Sequence, residues 1–249
     1  MSGSPARGTT PPGSSGEEEA ARWVRGMFGR VARRYDFLNH LLSLNLDRHW
    51  RARTVRRLRP VLERPGARVM DACCGTGDLL LALQVAARAT VLGSDFCHPM
   101  LEAARRKVER RGFRAALVEA DALALPLADG SLDLLTTAFG FRNLANYERG
   151  LREMRRVLKP GGVAAILEFS QQPTAAFAAL YRFYSRRVLP LVGGALSGDP
   201  GAYKYLPESV SKFPDAEQLA AMMREAGFVA VRFERMTGGI VALHTGTAG

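Results

Sequence analysis

Apolar and polar positions along the chain fall into two textures. From residue 67 onward, short apolar runs alternate with amphipathic stretches. ARVMDACC (67–74), ATVLGSDF (89–96), AALVEADA (115–122), LDLLTTAFG (132–140) and VAAILEFS (163–170) each predict a buried strand. Between them the spacing predicts helices from the GTGD turn through about Ala87, over Pro99–Arg111, and over Tyr147–Leu158, which Pro160-Gly161-Gly162 stops. Strand, helix, strand with short links predicts a parallel sheet covered on both faces. After Ser170 the alternation lapses until a helix at about Asp215–Ala226, with Asp215 as its N-cap. FVAVRFERM (228–236) and IVALHTG (240–246) follow. The Gly238-Gly239 turn between them is so short that the two must run antiparallel. The fold class is therefore α/β, with seven strands, mostly parallel, and one reversed.

Residues 19–64 have the other texture. They read as helices broken near Gly29 and Asn45, ending at Pro60. Residues 1–18 are Gly, Ser, Pro, Thr and Glu and read as a disordered tail. The chain thus divides into 1–18, a basic helical segment 19–64, and a domain 65–249 interrupted by an insertion at 171–212. Within the insertion Phe177, Leu180, Tyr181, Tyr184 and Val188 share a helical stripe flanked by Arg182, Arg186 and Arg187.

Charge changes this picture only locally. The formal net charge is +11. Residues 20–64 carry twelve arginines against Asp36, Asp47 and Glu63, so most of the excess lies there. Arginines mixed with Trp23, Phe28, Tyr35, Phe37 and Trp50 suit an anionic membrane surface or nucleic acid, or form a solvated helix face. No apolar run approaches the roughly 18 residues of a spanning helix, and the N-terminus has no secretory h-region. Cys73, Cys74 and Cys97 offer neither a disulfide framework nor metal spacing, and no His/Cys/carboxylate cluster calls for a metal. The cytoplasm is the expected compartment.

Candidate chemistry begins at Asp71-Ala72-Cys73-Cys74-Gly75-Thr76-Gly77-Asp78, between a strand and a helix. Gly75 and Gly77 permit tight turning and close approach by a ligand. Asp95 closes the next strand, where a carboxylate can accept both ribose hydroxyls of an adenosine. Asp121-Ala122, at the third strand end, can meet an adenine. The turn reads G-T-G-D-L-L, without the third glycine of a dinucleotide site, and Asp78 would repel a pyrophosphate. S-adenosylmethionine, cationic and free of phosphate, fits better. After the fourth strand, Thr136-Thr137-Ala138-Phe139-Gly140 offers neither the N-P-P-Y turn of base N-methylation nor a cysteine for cytosine chemistry, so a nucleic-acid substrate is not expected.

Four blocks carry a family resemblance across roughly residues 28–246. They are YDFLNHLLS (35–43) through Arg48-His49-Trp50; D-x-x-x-G-T-G-D (71–78); F-G-F-R-N (139–143) with L-K-P-G-G (158–162) and L-E-F-S (167–170); and YKYLPESV (203–210) with Phe213-Pro214 and TGGIVALH (237–244). With them the chain resembles the quinone-biosynthesis C-methyltransferases of the demethylmenaquinone and polyprenyl-benzoquinol type. The resemblance implies a Rossmann-like class I S-adenosylmethionine-dependent fold and methylation of a ring carbon in a reduced polyprenyl quinone, with demethylmenaquinol favoured over a benzoquinol. Arg142 would stabilise a phenolate or hold a proton-accepting water, and Asn143 would orient the ring oxygen. Arg142 pairing with Glu168 is the structural alternative. Cofactor contacts would come from Asp71, Gly75, Thr76, Gly77, Asp95, Asp121, Ala122 and Ala138. Where the family has a serine this chain has Ala138, so that contact must be through backbone, or Thr137 substitutes. Tyr35, Asn39, Tyr203, Tyr205 and Ser209 would line the quinol, and His40 and His244 would be structural. A lipophilic substrate implies collection from the inner face of a membrane, with the basic helices and aromatic stripe resting on it. The stripe's alternative use is to cap the core or to form a homodimer face. Another small-molecule or RNA S-adenosylmethionine-dependent methyltransferase and a non-catalytic quinone-pathway scaffold are the remaining alternatives.

Overall fold

The computed structural model describes residues 7–32, 34–114, 116–170 and 200–249. Three helices come first: α1 (Glu17–Val31), α2 (Tyr35–Leu42) and α3 (Leu46–Leu62). The alternating domain follows with β1 (Val69–Ala72), α4 (Asp78–Ala86), β2 (Leu92–Asp95), α5 (His98–Arg110), β3 (Ala116–Glu119), β4 (Leu132–Ala138), a 3-10 turn (Phe141–Asn143), α6 (Tyr147–Val157) and β5 (Leu158–Phe169). It closes with α7 (Pro200–Lys212), α8 (Ala216–Glu225), β6 (Phe228–Met236) and β7 (Val241–Ala248). The expected break near Gly29 falls instead after Val31, where α1 ends, and the second, at 43–45, includes Asn45 in the left-handed region at φ 61°. Pro60 lies within the last turn of α3 rather than ending it.

The sheet runs β3-β2-β1-β4-β5-β7-β6. Every pairing is parallel except those of β7, which is antiparallel to both β5 and β6. Seven strands with one reversed is the architecture expected. The central strands are apolar on both sides, so successive residues feed two cores. Leu134, Ala165 and Leu167 join Trp50, Leu58, Leu80 and Leu83 under α3 and α4. Leu135, Ala164 and Ile166 join Leu151, Met154, Leu219 and Met223 under α6 and α8. Each Leu, Ile or Met side chain among them contributes roughly 1.5–3 kcal/mol when fully buried. Asp215 caps α8, its side chain accepting from Gln218 N at 2.8 Å while the Gln218 side chain accepts from Asp215 N at 3.0 Å.

The N-terminal segment departs from expectation. From Arg7 it lies against the domain: Tyr147 N donates to Arg7 O at 2.7 Å and Thr9 N to Leu144 O at 2.8 Å, and Thr9 is buried. Its polar composition conceals this because the contacts are hydrogen bonds to a distant loop, not apolar periodicity. The aromatic stripe at 175–188 lies outside the described residues.

Candidate active site

The parallel strands end on one edge, and there the turns open a cavity of about 940 Å³, open solvent at its mouth included. Open α/β sheets bind ligands at this edge. Gly77 starts α4 in the left-handed region at φ 85°, and a Cβ there would press on Ala104 at 3.1 Å. Gly140 is forced by space, since a Cβ would stand 2.4 Å from the Cβ of Cys73.

Of the expected cofactor residues, Asp71, Gly75, Thr76, Asp95, Asp121, Ala122 and Ala138 line the cavity. Gly77 stands behind as the helix cap. Asp95 accepts from Gly75 N at 2.8 Å and Cys97 N at 2.9 Å, so its carboxyl is fixed in place. Burial pushes its pKa up to about 6. Asp71 accepts from Thr136 Oγ1 at 2.7 Å, and burial pushes it up to about 7. Ala138 lines the cavity and Thr137 does not; the buried Thr137 hydroxyl has no hydrogen-bond partner among the described residues and lies beside Gly140, which lines the cavity.

Asp78 departs from the sequence reading. Lys107 Nζ meets it at 2.6 Å and Arg51 Nη2 at 3.4 Å. Burial works against its charge, yet Arg51 and Lys107 hold its pKa below the ordinary carboxylate value. The protein thus matches much of this charge itself instead of presenting it whole to a cationic ligand. Asp47 takes Arg51 and His40, the latter at 2.7 Å, and Asp36 takes Lys107 at 2.6 Å and the Thr76 hydroxyl. His40, Asp47 and Asp78 bring ligand atoms within 4.8 Å of one another, a grouping the sequence reading did not anticipate. Arg51 and Lys107 already meet those carboxylates. Both cations were missed from sequence. Their partners lie on other turns and other elements, and only the Asp47-to-Arg51 spacing of four signals one of these pairs.

One wall of the cavity is apolar. Phe28, Tyr35, Phe96, Met100, Phe139 and Leu144 face the cavity, with Asn143 among them. Arg142 is buried behind. Its guanidinium meets both oxygens of Glu168 at 3.2 Å, bonds Phe139 O, and lies 5.3 Å over the ring of Phe169. Burial alone would weaken its charge, but Glu168 lifts its pKa above the ordinary value. The pairing with Glu168 is therefore present, and of the two proposed catalytic residues only Asn143 lines the cavity.

Tyr35 lines the cavity and bonds Asn39, which stands behind it. Tyr205 is buried and donates to Asn143 Oδ1 at 3.0 Å. Ser209 bonds Leu206 O at 2.9 Å and faces a small crevice beside Thr9, away from the cavity. Tyr203 lies on α7, its side chain outside the described set. His244 is buried against Ala216 O at 2.9 Å and burial pushes it down to about 4, which fits a structural role. Burial pushes the Cys73 and Cys74 thiols well up, leaving them poor nucleophiles.

Distant sequence blocks meet at one aromatic knot. Trp50 packs on Phe139 at 5.9 Å and Phe169 at 6.4 Å, and its indole N–H donates to Thr237 Oγ1 at 2.7 Å.

The sequence model of the ubiE/COQ5 methyltransferase family matches residues 15–248. A demethylmenaquinone methyltransferase of Thermus thermophilus is 52% identical over 221 residues, covering 88% of this chain and 99% of that protein. A ubiquinone/menaquinone biosynthesis C-methyltransferase UbiE of Geotalea uraniireducens is 43% identical, covering 92% and 97%. In structure, a SAM-dependent methyltransferase from Thermotoga maritima superposes with a TM-score of 0.64 at 20% identity, over 90% of this chain and 99% of that one, a likeness of fold.

Proposed function

The chain belongs to the ubiE/COQ5 methyltransferase family and is an S-adenosylmethionine-dependent C-methyltransferase of quinone biosynthesis, and from that premise we propose that its acceptor is demethylmenaquinol. The observation that carries the reading is the single cavity. It joins Asp71, Asp95 and Asp121 at the strand ends to an apolar wall bearing Asn143. The donor sits on the carboxyl side, its ribose at Asp95 and its adenine beside Asp121 and Ala122. The flat ring sits between Phe28, Tyr35 and Phe139.

Methyl transfer from a sulfonium needs alignment more than activation. The quinol loses a phenolic proton to solvent or a held water. An electron pair of the adjacent ring carbon then attacks the methyl carbon, and the C–S pair returns to sulfur, releasing S-adenosylhomocysteine. Loss of the ring proton restores aromaticity. Asn143 donates to the developing phenolate oxygen. Arg142 acts on it through field and position. It is held by Glu168 and its charge is felt at the Tyr35 and Tyr205 hydroxyls. The 52% identity to the Thermus demethylmenaquinone methyltransferase supports a naphthoquinol over a benzoquinol.

The oily tail must come from a bilayer, and an exposed apolar cluster supports collection there. Phe37 is 62% and Leu44 73% exposed, with Leu41 and Leu46 beside them. They occupy α2, whose first residue Tyr35 lines the cavity, the turn after it and the start of α3, with exposed Arg48 and His49 adjoining. No helix among the described residues is long and apolar enough to cross a membrane. Incubating the protein with methyl-labelled S-adenosylmethionine and each reduced quinone tests the substrate. Label in menaquinol is expected. Label only in the benzoquinol product would overturn the naphthoquinol assignment.

A further inference from the structure

Residues 7–11 precede the stretch that the family model matches, and they lie against the acceptor wall. Thr9 N bonds Leu144 O and Arg7 O receives Tyr147 N, so the strap is pinned at two points just after the turn that carries Asn143. Lys212 Nζ reaches Thr10 O at 3.3 Å and Thr10 Oγ1 at 3.2 Å, tying the strap to α7. From the pinned strap the Thr9 hydroxyl meets the Tyr205 hydroxyl at 2.7 Å, in buried surroundings. Tyr205 has one proton, and it goes to Asn143 Oδ1 at 3.0 Å. The Thr9 hydroxyl must therefore donate to Tyr205. Asn143 Nδ2 in turn donates to Phe139 O at 3.3 Å.

The Phe139 carbonyl fixes the carboxamide, because a flip would set its oxygen against that carbonyl. So placed, Oδ1 takes the Tyr205 proton and the Thr9 hydroxyl backs Tyr205 in that direction. With the flip excluded, one N–H of Asn143 bonds Phe139 O and the second remains for the cavity that Asn143 lines. We infer that the N-terminal strap is part of the methyltransferase site, with Thr9 a positioning residue that orients Asn143 toward the quinol oxygen through Tyr205. The inference rests on the reading of Asn143 given above. The strap sits on the acceptor side, so it acts on the quinol and not on the donor.

The test is a kinetic split across Thr9→Val, Thr9→Ser, Tyr205→Phe, Thr9→Val/Tyr205→Phe and Asn143→Ala, each checked for an unchanged melting temperature. With demethylmenaquinol as substrate, Thr9→Val should lower kcat about fivefold, the worth of one neutral hydrogen bond. The donor's Kd, read by calorimetry, should stay as in the parent. Thr9→Ser, which keeps the donor, should restore kcat, and Thr9→Val should have no further effect in the Tyr205→Phe background. A stable Thr9→Val protein with parental kcat, while Asn143→Ala loses turnover, would overturn the strap's role and leave the reading of Asn143 standing. Parental kcat in Asn143→Ala would overturn both. A Thr9→Val defect that persists undiminished in Tyr205→Phe would also overturn the proposal, because the effect would then travel by another route. If Thr9→Val lowers the melting temperature, the Tyr205→Phe and Thr9→Ser pair decides alone: Tyr205→Phe must reproduce the kcat loss and Thr9→Ser must lack it.

Discussion

Asp71 and Asp95 are carboxyls that folding makes reluctant to ionise, because burial outweighs the hydrogen bonds they receive. In the unfolded chain both lose their protons near pH 3.8. The folded protein keeps them to about 7 and about 6, so any stability they lend is complete below 3.8 and is lost as pH rises through those values. A donor that needs a carboxylate for its ribose pulls the other way. Below pH 6 its Kd should therefore rise by about tenfold per pH unit, and Asp95→Asn should remove most of that slope while weakening binding throughout. Titration calorimetry between pH 5 and 8 reads both effects. Arg142 and Glu168 form the second residue-scale case. Both are almost fully buried, so removing one charge strands the other. Glu168→Gln should cost about 3–5 kcal/mol of stability, read as a lower urea midpoint. A variant within about 0.5 kcal/mol of the parent would show that water reaches the pair.

At the scale of elements, charge ties α2 to the turn at 75–77, beside the aromatic packing of Tyr35. Asp36 at its first turn bonds the Thr76 hydroxyl and Lys107 of α5, and Lys107 also holds Asp78 at the head of α4. Three elements therefore share one ammonium. Lys107→Met should loosen α2, raising hydrogen exchange of residues 35–42 about tenfold and weakening donor binding, with β4 and β5 unchanged. Protection of 35–42 at the parental level would mean that α2 is held by its aromatic contacts, of which Phe28 on Tyr35 at 5.8 Å is one. The elements differ in how far local sequence reveals them. The α8 cap is readable because Asp215 and Gln218 satisfy each other within one turn. The parallel sheet follows from alternation and short links, and its reversed strand from the Gly238-Gly239 turn, while the order of the strands is not readable. The Lys107 junction and the Thr9 strap are not readable, because each joins residues tens to hundreds of positions apart and neither leaves a periodic trace. Arg142 stands between these cases. Its motif marks the turn, while its burial against Glu168 is settled by β5, on a different stretch of chain.

For the whole molecule, charge and apolar exposure converge in one segment. Residues 20–64 hold most of the net positive charge, and the same segment exposes Phe37, Leu41, Leu44 and Leu46. Arginines on α3 that meet partners are partly spent: Arg53 and Arg57 share Glu234 at 2.8 and 2.7 Å. Long-range attraction to an anionic surface survives such pairing because the segment's net charge does, and it falls as salt shortens the screening length to about 10 Å at 0.1 M. Apolar insertion does not respond to salt in this way. The two contributions are therefore separable by flotation with vesicles containing anionic lipid. Parent protein should float at low salt and lose part of its binding by 0.5 M. Phe37→Ser with Leu44→Ser should reduce the salt-resistant fraction by at least about tenfold, since each large side chain withdrawn from the bilayer forfeits roughly 1.5–3 kcal/mol. Turnover of a short-tailed, water-soluble quinol should be unchanged in that double variant. Equal loss with soluble and membrane-borne quinols would place the cluster in the catalytic fold instead of on the bilayer.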